Sequence, residues 1–154
     1  KIVRIHMEED AGKLVHDEIR KKSYVDMNRC SVPLIEIVSY HNISSASEAY
    51  EYLSKLKNIL KYTEVSDVSM ELGSLRCDAN VSVREYGAPL SERVEIKNLN
   101  SFKAVSKAIE YEYDRQTALV EKGEAVVLET RLWDENRLVT RSMKADLLHL
   151  SKNC

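Results

Sequence analysis

The sequence predicts an α+β domain in which helices pack on one face of an antiparallel sheet. Three observations carry that expectation. Residues 75–84 alternate strictly, with Arg76, Asp78, Asn80, Ser82 and Arg84 at even positions and Leu75, Cys77, Ala79, Val81 and Val83 at odd ones. That period places the polar set on one strand face and the apolar set on the other. Val94, Glu95, Ile96 and Lys97 continue the alternation after a connection that holds Gly87 and Pro89, as a hairpin does. Residues 45–61 and 102–122 instead repeat apolar side chains at three- and four-residue steps, the helical period.

In chain order, residues 1–6 alternate loosely (Ile2, Val3 and Ile5 apolar) and run into Glu8, Glu9, Asp10, Gly12 and Lys13. This reads as a strand ending in a turn dense in oxygen ligands. Residues 32–38 form a short apolar run interrupted by Pro33 and Glu36, which reads as an edge strand or extended segment because proline lacks the N–H a ladder needs. The helix at 45–61 opens on Ser45 with Glu48 three residues later, a capping box. Its stripe is Ala46, Ala49, Tyr50, Leu53, Leu56, Ile59 and Leu60. The helix at 102–122 is capped by Asn100 or Ser101 and stopped at Gly123. Its core stripe reads Phe102, Val105, Ile109, Tyr113 and Leu119 or Val120. A second hairpin joins residues 126–133 to 138–143. Pairing Arg84 with Arg93 in the first hairpin sets Ser82 opposite Glu95 and Asn80 opposite Lys97, with both polar rows on one face.

The chain has 154 residues, 44% hydrophobic and 31% charged, with a formal net charge of −2. One ordinary globular domain fits that size, and any nucleic-acid or membrane contact needs a local basic patch. No apolar run reaches membrane-spanning length. Cys30, Cys77 and Cys154 are odd in number and form no C-x-x-C pair, which argues against a disulfide framework or structural zinc and for a reducing compartment. The four histidines show no metal-ligand spacing, and no Ser-Lys amidase signature is present.

A merely solvated strand face is rich in Lys, Glu and Thr. The row of Arg76, Asp78 and Asn80 facing Glu95 and Lys97 offers rigid donors and hard oxygens of the kind that hold phosphate and Mg²⁺. The competing reading is a salt-bridge network that only fixes hairpin register, which is costly to bury without a ligand or ion. Asp78 and Glu95 are the candidate metal or proton-handling carboxylates. Arg76 and Lys97 are the candidate phosphate-facing cations, and Asn80 and Asn98 would orient water or substrate. Glu71, in the turn before the strand, is a further candidate; Asn28 and Glu36 are weaker ones. Glu8, Glu9 and Asp10 read either as a solvated acidic turn or as metal ligands, with Glu9 pointing away from the other two if the strand persists. Arg131 and Arg141 either line the same basin or cap the second hairpin. Cys77 falls on the apolar face as a packing residue.

Six strings in colinear order carry a resemblance. They are Ile5-His6-Met7-Glu8-Glu9-Asp10-Ala11-Gly12-Lys13, Asp26-Met27-Asn28-Arg29, Val32-Pro33-Leu34-Ile35-Glu36-Ile37-Val38-Ser39, Glu71-Leu72-Gly73-Ser74-Leu75-Arg76-Cys77-Asp78-Ala79-Asn80-Val81-Ser82, Val94-Glu95-Ile96-Lys97-Asn98-Leu99-Asn100-Ser101 and Glu129-Thr130-Arg131-Leu132-Trp133. Together they resemble the B subunits of tRNA-dependent aspartyl/glutamyl amidotransferases. The resemblance implies a cradle fold related to glutamine synthetase and the guanido kinases. It also implies a ligase that uses ATP and Mg²⁺ to phosphorylate the side-chain carboxylate of Glu-tRNA(Gln) or Asp-tRNA(Asn). Ammonia then displaces the phosphate. The implied partners are an amidase (glutaminase) protein that releases ammonia from glutamine, a small third protein that ties the complex together, and the tRNA. No membrane is implied, and the location is the cytoplasm or an organellar matrix. The expected metal ligands are Glu8, Glu9, Asp10, Asp78 and Glu95.

The whole chain reads as part of one cradle domain, without the family's N-terminal Gly-Leu-Glu-x-His strand and its C-terminal helical and tail domains. Residues 145–154 read as an atypical tail. Two rival readings stand beside the ligase: a glutamine-synthetase-like ligase acting on a free amino acid, and a truncated piece with only a scaffold or tRNA-docking role.

Overall fold

The computed structural model describes residues 1–17 and 19–143; the expected atypical tail lies outside them. The chain divides into two compact units, Lys1–Ile43 and a second from Ser44 onward.

In the first unit, β1 (Ile2–Glu9) pairs antiparallel with β4 (Pro33–Ser39), so that His6 faces Glu36 and Glu8 faces Leu34. The strand expected at 1–6 therefore runs on through both glutamates. Pro33 takes the first position of its strand, where a missing N–H costs least. Between these strands lies a separate hairpin, β2 (Lys13–Asp17) with β3 (Lys22–Asp26). Sequence periodicity does not separate it from the preceding acidic turn. Asp17 Oδ1 accepts the Arg20 N–H at 2.9 Å and closes its turn.

The second unit carries α1 (Ala46–Tyr62), β5 (Ala79–Val81), β6 (Val94–Lys97), α2 (Phe102–Glu121), β7 (Glu129–Asp134) and β8 (Val139–Ser142). Ser45 caps α1 by accepting the Glu48 N–H, while the Glu48 carboxylate reaches back to Ser44 rather than Ser45. Ser101, not Asn100, caps α2 through the Ala104 N–H, a contact worth about 1 kcal/mol. The helix ends at Glu121, and Gly123 follows with φ +74°, the left-handed conformation that favours glycine.

The four strands lie in the order β5-β6-β7-β8. The expected all-antiparallel sheet is corrected here, because β6 and β7 are parallel. The connection between them contains the whole of α2, and a helix-length crossover returns the chain to start the next strand in the same direction. The outer pairs, β5 with β6 and β7 with β8, are antiparallel, as both hairpins required.

The core gathers Ala79, Ile96, Leu99, Ala104, Val105, Ala108 and Trp133 between the sheet and α2, with Leu53, Cys77, Val81, Ile109 and Tyr111 packed at its margin. The expected tyrosine-bearing stripe is a second correction. Tyr113 is 56% exposed, whereas Glu112 and Gln116 are fully buried. Ala104 and Ala108 bring the helix close to the sheet, and the buried face then continues along their row to Glu112 and Gln116. On α1, Ala49 is buried while Tyr50 and Ile59 stand exposed.

Candidate functional site

The ladder of β5 with β6 sets Ala79 opposite Ile96, Asn80 opposite Glu95 and Val81 opposite Val94. The expected register, with Asn80 opposite Lys97 and Ser82 opposite Glu95, is thus off by two residues. A two-residue slip preserves which face each side chain occupies, so the polar pattern alone could not detect it. The neck of the connection decides: Ser91 N–H donates to Val83 O at 2.9 Å, and Val83 N–H donates to Ser91 Oγ at 3.1 Å. Only three residues form a ladder strand, not the ten expected. The alternation of exposure nevertheless runs from Leu75 to Asn80 with every even residue outside.

Asp78, Asn80, Glu95 and Lys97 meet on the sheet face opposite α2. Lys97 Nζ stands 3.7 Å from Asp78 Oδ2 and 3.7 Å from Glu95 Oε1. On the neighbouring parallel strand, Thr130 Oγ1 donates to Glu95 Oε2 at 3.0 Å and holds that carboxylate. Asn80, Arg93, Glu95, Leu128, Glu129 and Thr130 line an open depression of about 370 Å³. Arg76 is exposed on the same alternation, and Glu71 is exposed in the turn before it. Asn98 sits at φ +65° and its amide donates to Trp133 O at 3.0 Å, tying the end of β6 to β7.

Of the two arginines left open, Arg141 lies opposite Leu132, on the polar face, and pairs with Asp134. Arg131 lies on the other face, beneath α2. Its Nε donates to Thr140 Oγ1 at 2.7 Å and one terminal nitrogen to Glu129 Oε1 at 2.7 Å. It therefore does not line the basin, because strand alternation turns it toward the helix. Burial, and secondarily the charge of Asp78, push the Cys77 thiol up to about 11, as suits a packing residue and not a nucleophile. Thr130 carries no signal in the sequence, since its reach to Glu95 depends on the parallel pairing.

In the Lys1–Ile43 unit, His6 Nδ1 lies 3.1 Å from Glu8 Oε1. Glu36 joins them, and ligand atoms of the three lie within 4.8 Å of one another, all on exposed residues. Glu9 alternates to the other face of β1. Asp10, past the strand end, pairs with Arg29 at 2.9 Å. Glu8, Glu9 and Asp10 thus occupy three different surroundings. Asn28 lies in the turn after β3, its N–H on Asp26 Oδ1.

The sequence matches the GatB/GatE catalytic domain over residues 1–147. The chain belongs to that family. Its relatives include the B subunit of the aspartyl/glutamyl-tRNA(Asn/Gln) amidotransferase of Fusobacterium nucleatum, 56% identical over 145 residues. The B subunits of the same enzyme from Chlorobium phaeobacteroides and Chlorobaculum tepidum are 59% and 56% identical. Each match covers 94% of this chain and 30% of the relative, so the chain spans about three-tenths of their length. The GatB/GatE match takes in both units, and so both the exposed acidic strand and the Asp78, Glu95 and Lys97 cluster. Among the described residues no helix is long and apolar enough to cross a membrane.

Proposed function

We propose that this chain is a catalytic segment of the B subunit in a tRNA-dependent amidotransferase. In this reading it activates the side-chain carboxylate of Glu-tRNA(Gln) or Asp-tRNA(Asn) for amidation by ammonia. A separate amidase supplies the ammonia and a small third protein joins the two, in the cytoplasm or an organellar matrix. The names of the relatives support the reaction class. One observation carries the site: two carboxylates, Asp78 and Glu95, flank a single ammonium, Lys97, on the sheet face opposite α2.

That donor set fits a nucleotide with Mg²⁺. Carboxylate oxygens suit a hard cation that keeps several waters, and the cations beside them suit phosphate. When bound, ATP with Mg²⁺ supplies the phosphoryl group and neutralises part of its charge. Asp78 and Glu95 would hold the cation, with Thr130 fixing the Glu95 rotamer. Lys97 and Arg76 would bind phosphate oxygens, and Asn80 and Asn98 would orient substrate or water. Glu71 remains a proposed contributor beside this set, and Glu8, Glu9 and Asp10, in the other unit, remain proposed metal ligands in their own right. Phosphoryl transfer relies on positioning and electrostatics, and a sheet face presents such groups on a rigid support. The mixed sheet backed by α2 is compatible with the cradle fold of glutamine synthetase and the guanido kinases.

The test is Mg²⁺-dependent ATP binding by the chain, read by equilibrium dialysis. Asp78→Asn combined with Glu95→Gln is expected to abolish it with an unchanged circular dichroism spectrum. Binding that persists in the double variant overturns the site. Binding of Glu-tRNA(Gln) without any nucleotide affinity would point instead to a docking role.

A further inference from the structure

Behind the candidate site, on the helix-covered face, a line of polar contacts connects the two outermost strands of the four-stranded sheet. Gln116 on α2 is fully buried, and its amide nitrogen donates to Val81 O of β5 and to Glu112 Oε1, both at 3.1 Å. Glu112, equally buried, accepts on Oε2 from Thr140 Oγ1 of β8 at 2.9 Å. Arg115 Nε donates to Glu112 Oε1 at 2.9 Å, and Arg131 Nε lies 3.7 Å from Oε2. Arg131 in turn holds Thr140 through both its hydroxyl and its carbonyl.

A buried carboxylate and a buried amide are expensive to place in a core unless their partners are in position. Gln116 bears part of that cost openly: its Oε1 is buried without a hydrogen-bond partner among the described residues. Its two acceptors, Val81 O and Glu112, dictate which way the amide faces. An apolar pair of similar volume would fill the same space, but it would not define where β5 and β8 lie along the helix.

We propose that Glu112 and Gln116 are positioning residues for the site on the opposite face. They clamp β5 through Val81 and β8 through Thr140, so that Asp78 and Asn80 stay in reach of Glu95 and Lys97. The strand most in need of a clamp is β5, which has only three ladder residues and stands at the end of the strand order. Asp78 immediately precedes it, and Asn80 lies within it. This proposal rests on the nucleotide-site reading given above.

The experiment compares Gln116→Leu and Glu112→Gln with Val105→Ala, a core variant that makes none of the clamp's side-chain hydrogen bonds and supplies no polar group to the site. Two readouts are taken on the same chain: amide hydrogen exchange of residues 79–82, and the affinity for ATP with Mg²⁺. Gln116→Leu is expected to speed exchange at 79–82 by about tenfold, as the loss of one hydrogen bond implies, while amides of α2 stay protected. Nucleotide affinity should fall by a similar factor. Val105→Ala should lower the melting temperature but leave both readouts at wild-type values. Unchanged exchange in Gln116→Leu, or an equal loss of nucleotide affinity in Val105→Ala, overturns the clamp. Absence of nucleotide binding by the wild-type chain overturns the site reading instead, and exchange at 79–82 still reports on the clamp.

Discussion

Lys97 on β6 reaches Asp78, the residue just before β5, at 3.7 Å, across the antiparallel pair. Glu95, two residues earlier on the same strand face, lies at the same distance from the ammonium. Lys97 is thus the only residue among those described that forms ion pairs with both carboxylates of the basin.

Replacing Lys97 by Met should leave Asp78 and Glu95 mutually repelling and remove a cation from the phosphate-facing set. The side chains are roughly half exposed, so fold stability should change by less than about 1 kcal/mol. Urea denaturation is expected to show that small change beside a marked loss of ATP affinity. A large stability loss would assign Lys97 a structural role.

Asn98 combines a left-handed backbone, φ +65°, with a side-chain bond to Trp133 O. Asn98→Gly should lose only the hydrogen bond, about 1 kcal/mol. Asn98→Ala should lose the bond and also pay for an alanine at positive φ, about 1 kcal/mol more. The expected order in chemical denaturation is wild type, then Gly, then Ala.

Burial acts to raise the Glu129 pKa, but hydrogen bonds from Ser142 and Arg131 and the charges of Arg131 and Arg115 together hold it below 4.5. A carboxylate depressed in the folded state contributes stability that is fully present above pH 4.5 and disappears as pH falls through its folded value. The stability advantage of wild type over Glu129→Gln should therefore be constant near neutrality and shrink below pH 4.5. Melting curves across that range check the sign; an advantage that grows on acidification refutes it.

Cys77 and Cys30 should differ in reactivity. With its thiol pushed up to about 11 by burial, Cys77 at pH 8 should be thiolate in roughly one molecule per thousand. Cys30 is exposed. Brief treatment of the native chain with iodoacetamide, followed by peptide mass mapping, should label Cys30 and spare Cys77. Comparable labelling of the two would show that the strand bearing Cys77 opens readily.

Short-range signals determined a good deal of this protein. The alternation from Leu75 to Val83 set which side chains face out, because strand sidedness follows from residue parity alone. Ser45, the Asn100-Ser101 pair and Gly123 marked helix ends, because caps are satisfied within one turn of chain. The separation of Cys77 from Asp78 onto opposite faces was legible for the same reason.

Tertiary structure decided what those local rules leave degenerate. A two-residue register shift keeps every residue on its face, so the Val83 and Ser91 neck had to place Asn80 opposite Glu95. The direction of β7 depended on how α2 carries the chain back, and with it the meeting of Thr130 and Glu95. Glu112 and Gln116 would belong to the solvated side of a helix if hydropathy ruled. They are buried because Thr140, Arg115, Arg131 and the Val81 carbonyl, brought together by the fold, satisfy polar groups that no stretch of sequence could satisfy by itself.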